Sequence, residues 1–259
     1  MELKNIIYEK NLGIATITLN RPEKRNAFSV SMRQEFAECL KDASKDDDIR
    51  VIVLTGKDPA FCSGGDLARI SESYQERKVK FSFPEKPSQT PRLLQILEKP
   101  TIAAVNGDAA GAGFDLALMC DIRIAGERAR FAETYVSRGM VPAGGSYLLP
   151  RLVGLQKACH LIFSGEWIDA KEAERIGLVL KAVPSEQLLH EADQLAAKIC
   201  KQAKYAVQLS KKVIYRGLTT DFDTHLEFVG YVRAVAARSG ETEEGIGAFL
   251  EKRKARFEP

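Results

Sequence analysis

The chain has 259 residues, 45% hydrophobic and 28% charged, proportions of an ordinary globular protein rather than of a disordered or fibrous one. Thirty-eight Lys and Arg against 35 Asp and Glu leave a net charge of +3, too little for a dedicated nucleic-acid binder and compatible with an anionic small molecule. No apolar run approaches the ~20 residues of a membrane span, no leader pattern opens the chain, and five scattered cysteines form no CxxC pair, so the expectation is a cytoplasmic protein without disulfides or zinc.

Residues 3–8 and 14–19 have strand composition around Asn11-Leu12-Gly13, which reads as a hairpin. Ser29 or Ser31 caps a helix to about Lys45, with Phe28, Met32, Phe36 and Leu40 at four-residue spacing. Asp46-Asp47-Asp48 breaks the pattern before VIVLTG (51–56), a short apolar run suited to a buried strand. TIAAVNG (101–107) repeats that character, after a helical stretch over 91–98 that ends at Lys99-Pro100. Residues 76–90 are charged, Pro-containing and aperiodic, either a lid over a site or a tolerated surface insertion. Beyond residue 150 the pattern is helical, over roughly 155–164, 170–176, 185–202, 204–217, 220–238 and 242–254. Alternating strands and helices predict an α/β fold with right-handed crossovers, and no internal repeat is visible. A break near 190–200 separates a core of residues 1–195 from a helical module of residues 196–259.

Chemistry is expected where buried strands end in loops held by a rigid scaffold. Two such loops follow the apolar runs: KDPAFCSGGDL (57–67) and DAAGAGFDLALMCD (108–121). Each leads small residues into a helix, whose first N–H groups have no intrahelical partner. Two such groups converging on one point would stabilise a carbonyl oxygen as it becomes an oxyanion; the other reading is that the glycines serve only tight turns and close packing. A dinucleotide site fits poorly, since Gly111-Ala112-Gly113 lacks the third glycine. GxxxxGK[ST], HExxH and GxSxG are all missing from the sequence.

NRPEKRNAF (20–28), AFCSGGDL (60–67), KPTIAAVNGDAAGAGFDLALMCDIRIAGERARF (99–131), GLVLKAVP (177–184) and EEGIGAFLEKRKARF (243–257) together resemble the crotonase, or enoyl-CoA hydratase/isomerase, family. The resemblance spans nearly the whole chain. It implies a crotonase-like ββα spiral core, a C-terminal helical trimerisation region, and assembly as a homotrimer or as a hexamer of two trimers. It also implies an acyl-CoA thioester substrate whose carbonyl is polarised by the backbone N–H groups of Gly65 and Ala112, through an enolate and without metal or other cofactor. Lys24, Arg25, Ala27 and Lys252 match positions that meet CoA in the family. Neither a nucleic-acid nor a membrane partner is implied.

Two positions depart from the hydratase pattern of paired glutamates. The first is Asp115, one methylene shorter than Glu, which reads as a general base or as an acid favoring the helix N-terminus. The second is Tyr135, a donor or orienting group at neutral pH because a phenol ordinarily titrates near about 10. Glu133, two residues earlier, would share a face with Tyr135 if 131–135 is extended, and could supply the missing carboxylate; otherwise it reads as a surface or salt-bridge residue. The expected reaction is hydration or dehydration of an enoyl- or dienoyl-CoA with an unusual acyl group, a ring among the options. Opening of a cyclic β-oxoacyl-CoA by C–C hydrolysis and enoyl-CoA isomerisation are the alternatives, and a non-catalytic acyl-CoA-binding homologue is the alternative of another class. The acyl pocket is expected to be lined by loop 68–95.

Overall fold

The computed structural model describes residues 2–67, 71, 93, 94 and 96–257. The expected loop over 76–90 and most of the 91–98 stretch and of the pocket-lining loop 68–95 lie outside those residues.

The chain opens with the expected hairpin, β1 (Ile6–Asn11) antiparallel to β2 (Ile14–Leu19). Its turn is Leu12-Gly13, both at positive φ (47° and 81°), the conformation of a two-residue hairpin loop. That tight turn fixes Ile6 opposite Leu19 and draws Glu9, Lys10 and Asn11 into the strand, so β1 begins three residues later than its composition suggests. Ser29, not Ser31, caps α1 (Val30–Lys45) by accepting a hydrogen bond from the Met32 N–H at 3.2 Å. Its buried face carries Met32, Phe36, Cys39, Leu40 and Ala43.

β3 (Val51–Gly56), β5 (Thr101–Val105) and β7 (Ile122–Gly126) run parallel in a six-stranded sheet of order β1-β2-β3-β5-β7-β10, where β10 is Lys181–Val183. Every residue of β3 and β5 is buried because both faces of the sheet are covered. On one face Ile52, Leu54, Ala103 and Val105 join the core that includes α1. On the other, Val51, Val53, Ile102 and Ala104 pack with Leu188, Ala192 and Ala196 of a helix spanning Leu188–Cys200. Alternation within each apolar run decides which face a side chain serves.

After each of these three strands the chain crosses, with two or three residues between, into a second, four-stranded sheet. β4 (Ala60–Cys62), β6 (Asp108–Ala110) and β8 (Arg130–Ala132) lie parallel there, and β9 (Ile168–Asp169) pairs antiparallel with β8. The fold is thus mixed α/β, with a strand–strand repeat in the backbone that has no counterpart in the sequence. Helices follow over Ala112–Met119 (α2), Gly144–Val153 (α3), Leu155–Ser164 (α4) and Ala170–Arg175 (α5). Leu188–Cys200 is then α6, and Lys204–Gly217 (α7), Phe222–Ala236 (α8) and Glu241–Leu250 (α9) complete the helical C-terminal region.

Helix α7 docks on the core through one carboxylate. Asp121 Oδ2 accepts from the Thr101 N–H at 2.7 Å and the Thr101 hydroxyl at 2.9 Å, and pairs with the Lys211 ammonium at 2.7 Å. Asp121 Oδ1 accepts from the Tyr215 hydroxyl at 2.7 Å. Lys211, 7% exposed, also donates to the Lys99 carbonyl at 3.0 Å. Removing the anion leaves a buried ammonium uncompensated, the costly way to break such a pair. Asp121→Ala is therefore expected to lower stability by about 3 kcal/mol, measured by urea unfolding at pH 7; a loss below 1 kcal/mol would show that α7 docks by its apolar contacts alone.

Candidate active site

The two glycine loops meet backbone to backbone. β4 and β6 are parallel neighbours, pairing Ala60 with Asp108 and Cys62 with Ala109, and so deliver both loops to the same sheet end. A Cβ on Gly113 would lie 2.7 Å from the Cys62 carbonyl carbon, closer than carbon atoms pack, so only glycine permits this approach. The loop 20–28 is stitched to the first glycine loop as well: the Phe28 N–H donates to the Gly64 carbonyl at 2.7 Å, and the Ser63 N–H to the Arg25 carbonyl at 3.0 Å.

Between the loops lies a cavity of about 130 Å³, lined among others by Gly65, Ala112, Thr134, Tyr135, Arg33 and Met140. Gly65 and Ala112, the expected oxyanion donors, thus face one compartment. Ala112 is the first residue of α2, where an N–H has no carbonyl four residues back to bond and the helix end is electropositive.

Asp115 sits one turn further along α2 and is 4% exposed. Its Oδ2 accepts a 2.6 Å hydrogen bond from the Tyr135 hydroxyl, and its Oδ1 accepts from the Gly145 N–H. Burial raises the Asp115 carboxyl above the usual carboxylate range, while the bonds from Tyr135 and Gly145 pull the other way. The Tyr135 phenol is raised by burial and then by the adjacent Asp115 charge, so it stays protonated throughout the neutral range. Tyr135 lines the cavity and Asp115 stands behind it.

Glu133 is the surprise of the site. Strand β8 ends at Ala132, and Tyr135, at φ −64° and ψ −47°, begins a short turn at Val136–Arg138, so 131–135 is not the extended segment that would put Glu133 and Tyr135 on one face. Nor is Glu133 a surface or salt-bridge residue: it is 0% exposed, and neither carboxylate oxygen has a hydrogen-bond partner among the described residues. Burial, reinforced by the nearby Asp115, pushes its carboxyl up to about 9. It packs under the start of α3, where a Cβ on Gly145 would overlap its carboxylate and lie 2.9 Å from Asp115 Oδ1.

The expected CoA-binding residues divide. Lys24 is exposed beside the first glycine loop, and its carbonyl accepts from the Ser63 hydroxyl at 3.2 Å. The Arg25 guanidinium is already seated on Asp108 at 2.5 Å, which Arg130 also holds at 2.8 Å, so its charge is largely spent. Ala27 is partly buried, and its carbonyl accepts from Arg21 at 2.9 Å. Lys252 follows α9, and no hydrogen bond or ion pair among the described residues ties it to the glycine loops. Arg33, on the flank of the buried stripe of α1, is a cavity residue that sequence reasoning missed. Its one signal was its place beside Met32, one turn past the helix cap at Ser29.

The family described as enoyl-CoA hydratase/isomerase matches residues 9–259. A short-chain-enoyl-CoA hydratase of Clostridium acetobutylicum is 39% identical over 256 residues, covering 98% of this chain and 97% of the relative. A 1,2-epoxyphenylacetyl-CoA isomerase of Escherichia coli is 38% identical, covering 95% of each. The crystal structure of an enoyl-CoA hydratase from Bacillus anthracis superposes with a TM-score of 0.88 at 31% identity, over 98% of this chain and 99% of that one.

The raised Glu133 carboxyl has a consequence for stability. An unfolded glutamate loses its proton near about 4.3, whereas Glu133 in the fold holds it to about 9. Across that window the native state binds the extra proton, so stability falls as pH rises. Glu133→Gln keeps the shape and removes the titration. Thermal melts from pH 5 to 9 are expected to show a shallower decline for the variant than for the wild type; parallel declines would mean that Glu133 is ionised in the fold.

Proposed function

Because the chain belongs to the enoyl-CoA hydratase/isomerase family, we propose that this enzyme adds water to, and in reverse removes it from, an enoyl- or dienoyl-CoA thioester. The observation that carries the reading is the Tyr135 hydroxyl, which lines the cavity between the two glycine loops while donating to Asp115 at 2.6 Å. The Gly65 and Ala112 N–H groups polarise the thioester carbonyl and take up the enolate charge, worth about 10²–10³ in rate per donor. Because the phenol proton is committed to Asp115, the Tyr135 oxygen is free to accept from a water. As the water oxygen bonds to the β-carbon, its proton passes to Tyr135 while the phenol proton passes to Asp115. The same relay returns a proton to the α-carbon as the enolate collapses, which completes the addition of H and OH across the double bond.

Tyr135 therefore does more than position: it is the group at the cavity wall, and Asp115 is the base behind it. Glu133, held neutral, keeps a second charge out of that compartment. Lys24 and Lys252, with Arg25 as a secured neighbour, belong to the CoA-facing part of the reading, and CoA enters as part of the substrate, with no further cofactor invoked. A single relay also suits enoyl-CoA isomerisation, in which one group moves a proton from the γ- to the α-carbon; the relative named as an isomerase supports that second reading. The unusual acyl group, an alicyclic one included, is inferred from the replacement of two glutamates by Asp115 and Tyr135.

Assembly is part of the proposal. Helix α8 has no buried residue in the isolated chain, and Phe222, Tyr231, Phe249 and Leu250 are each at least 72% exposed. An apolar face of that extent marks an interaction site, and we assign it to a homotrimer or a pair of trimers, with residues 196–259 as the assembling module and residues 1–195 as the catalytic core. Light scattering at micromolar concentration is expected to give three or six times the chain mass; a monomer would refute the assignment. Among the described residues no helix is long and apolar enough to cross a membrane. A cytoplasmic location remains part of the proposal.

Mass spectrometry of linear and alicyclic enoyl-CoAs after incubation tests the reaction: a gain of one water with the carbon chain intact is expected, against no mass change for an isomerase or a binder. With the best substrate, Asp115→Asn is expected to lower kcat about 10²–10⁴-fold with little change in KM. Tyr135→Phe should lose a comparable factor, since it interrupts the relay, and Glu133→Gln much less. Loss of turnover in Glu133→Gln with Asp115→Asn still active would move the base to Glu133.

A further inference from the structure

Arg33 is spent on neither stability nor the relay. Its guanidinium lies over the Phe28 ring at 5.6 Å from the centroid, and Phe28 is bonded to the first glycine loop through Gly64. The side chain is thereby fixed against the oxyanion donors while it lines the same cavity. Its Nε–H is buried and has no hydrogen-bond partner among the described residues. A buried donor on a charged group is costly to leave unpaired, by about 1–3 kcal/mol or more.

No acid among the described residues pairs with it. Glu35, on the same helix, accepts from the backbone of Lys4 and Asn5; Asp66 pairs with Arg21 at 3.3 Å; Asp115 is committed to Tyr135 and Gly145. Arg138 adds a second guanidinium to the cavity wall, held by the Thr134 carbonyl at 2.8 Å. Among the described residues neither arginine makes an ion pair. Two guanidiniums without an ion pair among the described residues thus line one cavity of about 130 Å³, and they suit an anionic group at the end of an acyl chain.

We propose that Arg33 selects acyl-CoA thioesters whose acyl chain ends in a carboxylate, met by its guanidinium at the cavity wall with Arg138 at the rim. The inference deepens the reading of the acyl-CoA site and names its substrate class. A planar guanidinium fork matches a carboxylate in geometry and charge, and an apolar chain of the same length would leave it unpaired.

The test is binding of two unreactive thioesters of equal chain length, glutaryl-CoA and pentanoyl-CoA, by calorimetry at one ionic strength. Contacts to CoA are common to both, so the ratio of affinities reports the acyl end alone. The wild type is expected to prefer glutaryl-CoA by about tenfold to a hundredfold, the range of a charge-assisted hydrogen bond. Arg33→Gln should bring the ratio close to one, and Arg33→Lys should retain part of it; a merely structural role would weaken both ligands and leave the ratio intact. A wild-type ratio near one overturns the proposal whether or not the variants fold, as does a folded Arg33→Gln that keeps the preference. Turnover of glutaconyl-CoA against pent-2-enoyl-CoA separates this from the reaction itself: a binding preference without hydration of either would refute hydration and leave the carboxylate site standing.

Discussion

The site rests on one contact, between the backbone of Gly113 and the carbonyl of Cys62. Two loops that each end a short parallel strand are pressed so close that no side chain fits between them. That closeness brings Gly65 and Ala112 to one cavity, and it is set by strand pairing rather than by side chains. Backbone donors held in this way need no reorganisation when charge develops in front of them, which is where such sites gain most of their effect. The hydrogen bonds from Phe28 to Gly64 and from Ser63 to Arg25 brace the arrangement from the other side.

A second constraint follows from dryness. Asp115 and Glu133 are buried behind the cavity wall that Tyr135 lines, and the three groups cannot all carry charge. Hydrogen bonds decide among them. Asp115 has a donor on each oxygen, from Tyr135 and from Gly145, whereas Glu133 has none. Asp115 is therefore the carboxylate and Glu133 the neutral acid. The glycine at position 145 serves both, donating to one while leaving room for the other.

Much of this architecture was legible in the sequence, and the boundary of what was not has physical reasons. Long apolar strands, helix caps and the glycine loops announce themselves through local pattern, and α4 and α7 fall on the expected residues. The strand–strand repeat did not, because Ala60–Cys62, Asp108–Ala110 and Arg130–Ala132 are too short to carry a periodicity. Asp115 and Tyr135 were found by the resemblance and their distance along the chain; that they touch is a tertiary fact. The burial of Glu133 depends on a helix start twelve residues away at Gly145, and the exposure of Arg33 to the cavity on a loop crossing from Phe28. No window of local sequence contains either relation.

The cluster at Asp121 acquires a different meaning in this light. Thr101, which donates twice to that carboxylate, opens β5, and the far end of β5 leads to Gly107 and the second glycine loop. The anchor of α7 and the second glycine loop thus sit at opposite ends of one strand, a rigid rod. Arg33, Glu133 and Tyr135, the groups at and behind the cavity wall, all lie off that rod. Such a layout separates the tolerances of the molecule: the approach of the two glycine loops is held by strand pairing, while the side chains of the cavity wall stand outside that pairing and are free to be rewritten. New chemistry can be grafted here by a few side-chain changes, without a new scaffold.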